Sequence, residues 1–336
     1  MKKITFLLMA VLVLSAFISK GQDEKKAFYG MWTIDIEEGT AVGWLNVNED
    51  KGYLDAELLW GGGSVEPVAD VYFTADNILV VTQTNEVRVS KKDAPERKHV
   101  VTRTYRFTRN GDNLEGVLVS PARDGMSEST TRFKGWRLPD PPAAPDLSKV
   151  KYGKPIDLFK GKDLSGWKLI NPNQVNGFKV MDGILVNNPE TVEGKRISYG
   201  NIRTEKEFED FNLKLEVNVP EHSNSGIYLR GMYEIQVLDS YGKQLDPHNM
   251  GAVYSRITPT VSAEKPAGEW QSFDITLCDR HITVILNGVK IIDNQPVYGP
   301  TGGAMIADVF KPGPIYLQGD HGKVSYRNIV LTPIVK

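Results

Sequence analysis

Two short stretches carry many of the side chains in this chain whose types could do chemistry. Ile227-Tyr228-Leu229-Arg230 and, after Gly231, Tyr233-Glu234-Ile235-Gln236-Val237 alternate apolar with polar residues. That period of two belongs to a strand with one face on a core and the other turned away from it. Phe211 to Val219 alternates without an error and puts Glu216 in its polar row. If the three stretches are neighbours in one curved sheet, Glu216, Tyr228, Arg230, Glu234 and Gln236 line a common groove. Such a groove would offer carboxylates for proton transfer, planar groups for oxygen ligands and a ring on which a sugar can stack. Spacing alone fits a plain solvent face with cross-strand ion pairs equally well. Composition favours the groove, because a solvent face would draw on Lys, Glu and Thr.

These strands belong to a chain that reads as all-β. Short apolar or alternating runs recur between clusters of Gly, Asn, Asp and Pro, and no long helical periodicity interrupts them. Asn110-Gly111 and Asn287-Gly288 are hairpin-turn signals, since Asn-Gly tolerates the positive φ of a two-residue turn. Leu138-Pro139-Asp140-Pro141-Pro142-Ala143-Ala144-Pro145 is the clearest break, because four prolines in eight residues cannot join a sheet interior. It sets off a small β-rich domain over 24–138, a linker over 139–150 and a second domain over 151–336. Strands in the first domain are expected around Gly43–Val47, Tyr53–Trp60, Asp70–Phe73, Ile78–Gln83, Val100–Thr108, Leu114–Ser120 and Thr131–Trp136. Their order resembles a small antiparallel barrel of lipocalin-like type. The basic stretch from Arg88 to Arg109 is broken by Asp93 and Glu96 and reads as a solvated hairpin.

Composition excludes several classes. The 336 residues hold 40 basic and 42 acidic side chains, a net charge of −2, without the basic footprint of a nucleic-acid binder. Met1-Lys2-Lys3 followed by the apolar run Ile4 to Ile18 reads as a secretory signal over residues 1–22. The run is short for a membrane span, which takes about 20 apolar residues. The expectation is an exported, soluble protein, periplasmic if the source has two membranes. The one cysteine, Cys278, cannot form an internal disulfide and reads as a small core residue. The loop Tyr298-Gly299-Pro300-Thr301-Gly302-Gly303 lacks the Gly-Lys-Ser/Thr of a phosphate loop and reads as a rim loop. His248, in Asp246-Pro247-His248-Asn249, and His281 read as structural or rim residues, and His99 as a surface residue.

The second domain carries a resemblance. Leu158-Phe159-Lys160-Gly161-Lys162-Asp163-Leu164-Ser165-Gly166-Trp167, Asn224-Ser225-Gly226-Ile227-Tyr228-Leu229-Arg230 and Tyr233-Glu234-Ile235-Gln236-Val237-Leu238-Asp239 occur in order. Gly268-Glu269-Trp270, Leu286-Asn287-Gly288, Leu317-Gln318-Gly319-Asp320-His321-Gly322 and Tyr326-Arg327-Asn328-Ile329 follow. Together they resemble the motifs of the 3-keto-disaccharide hydrolase family, also described as 3-keto-glucoside 1,2-lyases and 3-keto-2-hydroxy-glucal hydratases. Gln271 stands where that pattern has Asn, and Gly319 is inserted between Gln318 and Asp320. The resemblance spans about 155 to 333 and implies a concanavalin-like jelly-roll sandwich with a sugar site on a sheet face.

It also implies a chemistry. A ketone at C3 acidifies the C2 hydrogen, so a base can remove it and the aglycone leaves C1 by β-elimination. Water then adds to the resulting 3-keto-2-hydroxy-glucal, and the net result is hydrolysis. No oxocarbenium ion forms, so the paired carboxylates of ordinary glycosidases are not required. On this resemblance His321, Glu234, Glu216 and Arg230 are the catalytic candidates. His321 is a base or proton shuttle, with a backbone-bonding turn residue as its bland alternative. Glu216 or Glu234 is the other candidate base, and Arg230 with Gln236 binds the C3 oxygen or its neighbour. Tyr228, Gln236, Asn224, Asp239, Tyr254 and Gln318 are candidate substrate contacts. A divalent metal on Glu234, Asp239 and His321 would suit the chelating keto and hydroxyl oxygens, although no compact ligand motif is present. The substrate would come from a separate sugar 3-oxidoreductase. A non-catalytic carbohydrate-binding protein and a glycosidase acting on unmodified sugars are the competing readings.

Overall fold

The computed structural model describes residues 24–37, 41–90, 95–189 and 197–335. The apolar run read as a secretory signal lies outside the described residues. Among those described, no helix is long and apolar enough to cross a membrane. The chain divides into two compact units. Of the described residues, one unit holds those up to Trp60 and those from Val65 to Leu138, and the other holds Gly61–Ser64 with those from Pro139 onward.

The first unit is one antiparallel sheet of eight strands. Its order is Tyr53–Trp60, Ala41–Asp50, Gly30–Ile36, Glu128–Arg137, Asn113–Pro121, Arg97–Asn110, Leu79–Val89 and Asp70–Phe73. Alternation turns Trp32, Ile34, Leu45, Leu58, Leu79, Val81, Tyr105, Phe107 and Phe133 into one buried cluster, so the sheet curls almost closed around it. The ring of Trp60 meets those of Tyr105 and Phe133 edge-on. This is the small barrel that the strand pattern implied, with Gly30–Ile36 as a strand in addition to the seven expected. The hairpin near Asn110 turns through Gly111 and Asp112, with Asn110 paired to Asn113 and Gly111 at φ 60°. Arg88 and Lys98 lie opposite each other in another hairpin of this sheet.

The second unit is a sandwich of a nine-stranded and a five-stranded sheet, with a two-stranded pair beside them. In the larger sheet Phe211–Asn218 lies between Trp270–Cys278 and Val324–Val335. Its alternation buries Phe211, Leu213, Leu215 and Val217 and exposes Lys214. The hairpin from His281–Leu286 to Val289–Pro296 turns on Asn287 and Gly288 at φ 52° and 83°, the two positive values its two-residue turn demands. The smaller sheet runs Trp167–Leu169, Ile202–Thr204, Tyr316–Leu317, Asn224–Leu229 and Tyr233–Leu238.

The expected sheet of three neighbouring polar-rowed strands does not form. Phe211–Asn218 does not neighbour the two strands that follow it; it belongs to the other sheet. A period of two says which residues share a face but not which strands pair. Asn224–Leu229 and Tyr233–Leu238 are also buried on both faces, so their polar row lies under a cover of loops.

Candidate functional site

The polar row of the small sheet is built from register. Tyr228 pairs with Glu234 across one ladder and with Tyr316 across the next, which sets three side chains abreast on one face. The rings of Tyr228 and Tyr316 stack at 3.7 Å between centroids and 13° between planes. The Tyr228 hydroxyl donates to Glu234 Oε2 at 2.6 Å, and the Tyr316 hydroxyl donates to the Gly303 carbonyl at 2.7 Å. Gly226, opposite Gln236, leaves the room that the carboxylate needs: a Cβ there would lie 2.4 Å from Glu234 Oε1. Thr301 caps the same strand by accepting the Glu234 backbone N–H at 2.9 Å.

Above this row lies a cavity of about 190 Å³, lined on the sheet side by Asn224, Tyr228, Glu234, Gln236, Tyr316 and Gln318. Gly63, Asn201, Tyr254, Gly302, Gly303, Asp320 and His321 complete it. The volume is below the ~300–1,000 Å³ of drug-sized pockets, which suits one small polar ring. The amide oxygens of Asn224 and Gln318 are buried and have no hydrogen-bond partner. Unsatisfied acceptors in a buried wall call for donors from a ligand, and sugar hydroxyls are such donors.

Electrostatics mark two groups in the cavity. Burial raises the Glu234 carboxyl to about 7, against the opposing pull of the Tyr228 hydroxyl and of His321. The hydrogen bond from His321 Nδ1 to Asp320 Oδ1, 2.8 Å, raises the imidazole above its ordinary value, while partial burial pulls it down. Burial also holds the phenols of Tyr228 and Tyr316 well above their usual range. A base poised near neutrality beside an imidazole of raised basicity can divide the labour of a proton transfer.

Of the residues that sequence reasoning singled out, the cavity brings together Glu234, His321, Tyr228, Gln236, Asn224, Tyr254 and Gln318. Glu216 is elsewhere: its carboxylate is taken by Arg327 at 2.9 Å and by Asn328 on the larger sheet, and the Arg327 bond lowers its pKa. Arg230 is also elsewhere. It ends its strand at φ 54° and, 2% exposed, donates to the carbonyls of Val309 and Lys311. The last apolar step of the alternation is Leu229, so the next residue turns with the chain and not with the sheet face. Asp239 accepts the His222 backbone N–H at 2.9 Å and does not line the cavity, which removes it from the ligand set considered with Glu234 and His321. Among the described residues, the group whose ligand atoms could hold a metal is Asp210, Cys278 and Asp279, within 4.8 Å of one another; it shares no residue with the cavity.

Sequence reasoning missed Asn201, Tyr316, Asp320, Gly63, Gly302 and Gly303. Tyr316 and Asp320 stood within or beside a recognised motif, but only the strand register and the Gly319 turn aim them. The inserted Gly319 is pinned by Asn201 Oδ1 at 2.7 Å, and a Cβ there would lie 2.5 Å from the Gly200 carbonyl oxygen. The insertion is therefore built in, and His321 reaches the cavity.

A larger concavity, about 710 Å³, is in the first unit, lined by Asp35, Glu37, Arg106, Glu115, Arg132 and Lys134 among others. Its charges of both signs lie on an open surface and converge on no buried acid or base, so size does not make it the chemical site.

The model of a family described as the 3-keto-alpha-glucoside-1,2-lyase-like domain matches residues 154–332. Three solved structures from Parabacteroides distasonis, each described as a candidate glycosyl hydrolase, are similar to the chain. The first is 31% identical, covering 58% of this chain and 93% of its own, with a TM-score of 0.43. The second is 22% identical, covering 54% and 94%, with a TM-score of 0.44. The third is 26% identical, covering 53% and 98%, with a TM-score of 0.40. No curated protein matches the chain.

Proposed function

Given that the chain belongs to the 3-keto-alpha-glucoside-1,2-lyase-like family and is a carbohydrate-active enzyme, we propose that it cleaves 3-keto-glycosides by elimination and then hydrates the product. Glu234 removes the C2 proton. Burial has brought its pKa to about 7, so the deprotonated form is available at neutral pH and is still basic enough to take a proton. His321, whose hold on its proton the Asp320 bond strengthens, faces the oxygen on which the enediolate charge develops. Tyr228 keeps the carboxylate in place, and the open acceptors on Asn224 and Gln318 take hydroxyl protons of the pyranose. The C2–H electrons form the enediolate, the C1–O bond breaks, and water later adds at C1 while C2 is reprotonated.

The observation that carries this reading is the buried, tyrosine-bonded carboxylate of near-neutral pKa in a cavity the size of one ring. Two of the three suggested metal donors, Glu234 and His321, line that cavity. The Tyr228 bond to Glu234 and the placement of Asp239 leave this set short of the three protein ligands that a catalytic zinc takes. We place the enzyme outside the cytoplasm, on the strength of the N-terminal apolar run, and downstream of an oxidoreductase that forms the C3 ketone.

The test is turnover of 4-nitrophenyl 3-keto-glucoside against its unoxidised parent. Release of nitrophenol from the keto sugar alone, lost in Glu234→Gln, is expected. Equal turnover of the parent would identify an ordinary glycosidase, and binding without turnover a lectin-like module.

A further inference from the structure

Elimination needs a second proton transfer that Glu234 cannot make: the aglycone oxygen must be protonated as it leaves. We propose that Tyr254 is the proton donor to that oxygen, reloaded through a relay of Ser64, His248 and Asp246. The inference rests on the 3-keto reading above and adds the residue that reading lacks.

The geometry is continuous from the cavity to solvent. Tyr254 lines the cavity, and its hydroxyl is 3.1 Å from Ser64 Oγ. Ser64 Oγ is 3.0 Å from His248 Nε2, and His248 Nδ1 is 2.5 Å from Asp246 Oδ1. The His248 and Asp246 side chains are 38% and 54% exposed, so the outer end of the chain can exchange protons with water. The Tyr254 and His248 rings meet edge-on at 5.0 Å. Ser64 is the last residue of Gly61–Ser64, the loop that groups with the second unit. Gly63 of that loop lines the cavity, and a Cβ on Gly302 would come within 1.9 Å of the Gly63 carbonyl oxygen. That approach needs glycine and holds the loop against the site. A Ser–His–Asp set elsewhere serves a nucleophile; here the serine hydroxyl stands between two partners, which suits handing a proton on.

The protons balance. The Tyr254 hydroxyl proton goes to the glycosidic oxygen as the C1–O pair leaves with the aglycone. The Ser64 proton moves to Tyr254, and the Nε2 proton of a His248 imidazolium, whose Nδ1 bonds Asp246, moves to Ser64. Neutral His248 then accepts, through the same chain, the proton lost by the water that adds to C1. The relay is acid in the first half-reaction and base in the second, as microscopic reversibility requires.

The experiment compares two 3-keto-glucosides, with 4-nitrophenyl and methyl aglycones, on the full chain and on Tyr254→Phe, His248→Gln and Ser64→Ala, with C2–H exchange in heavy water followed alongside. A nitrophenolate leaves without a proton and a methoxide does not. The expected result is a loss of about 10²- to 10⁴-fold on the methyl glucoside, a far smaller loss on the nitrophenyl one, and C2 exchange close to the parent rate. Equal losses on both aglycones with exchange intact would overturn the relay and leave Glu234 as base. Absence of C2 exchange in the parent protein would overturn the 3-keto reading and the relay with it. Should Tyr254→Phe misfold, Ser64→Ala, which keeps the tyrosine, decides by the same comparison.

Discussion

Glu234 is where burial, hydrogen bonding and register act on one carboxylate, and its titration makes separable demands. As the base it must be ionised, so kcat/KM is expected to rise with pH through about 7, and to fall again as the raised His321 loses its proton. Because Asp320 is the main cause of the His321 shift, Asp320→Asn is expected to move the alkaline limb to lower pH; an unmoved limb in a pH–rate profile would take His321 out of the chemistry. Stability carries the opposite sign. Glu234 binds its proton more tightly folded than unfolded, so its contribution is full below its ordinary value near 4.5 and is lost as pH rises through about 7. At 1.36 kcal/mol per pH unit the loss is on the order of 3 kcal/mol. Glu234→Gln should therefore unfold at a higher temperature than the parent above pH 7, with the difference shrinking toward pH 4.5, although it is inactive. Thermal melts across that range check this. At this scale the sequence was legible for Glu234, Tyr228 and Gln236, whose alternation carries them to one face. Arg230 was misread because the strand ends before it. Arg230→Ala is expected to cost about 3 kcal/mol through the lost charged hydrogen bonds to the Val309 and Lys311 carbonyls, read as a lower denaturant midpoint.

At the scale of the element, the five-stranded sheet makes the site by presenting Tyr316, Tyr228 and Glu234 abreast. Its most sensitive position is a residue with no side chain. Gly226→Ala would press a methyl onto Glu234 Oε1, turning the carboxylate off Tyr228. The expected outcome is a loss of at least 10-fold in kcat while the far-ultraviolet circular dichroism stays that of the parent, since ~10² is what a displaced catalytic group costs; unchanged kcat would show that the carboxylate position is not what the glycine protects. Strand identity was legible from period and turn chemistry, as the Asn287-Gly288 hairpin illustrates. Sheet membership was not. Phe211–Asn218 and Tyr233–Leu238 carry the same alternation, and pairing with Trp270–Cys278 and Val324–Val335, each more than fifty residues later, assigns the first to the larger sheet. Glu216 was grouped with Glu234 for that reason, and separated by it.

For the whole molecule, the described chain is two units with separate cores, one a curled eight-stranded sheet and one a sandwich. The motifs of the second unit could be recognised because they follow one another in order between Leu158 and Ile329, inside the matched region 154–332. Nothing comparable marks Gly61–Ser64, which precedes the matched region 154–332 by ninety residues and contributes Gly63 to the cavity. Three glycines and a serine read locally as a turn; their long-range partners, Gly302, His248 and Tyr254, have no trace in the local pattern.

The central claim is that a carboxylate abstracts hydrogen from C2 of an oxidised pyranose and that C2 is later reprotonated from solvent. Turnover of a 3-keto-glucoside in heavy water, with the 3-keto-glucose product analysed by mass and proton resonance, tests it directly. One deuterium at C2 with the native protein, and no product with Glu234→Gln, is the predicted result. Product that retains its original hydrogen at C2 would contradict the account.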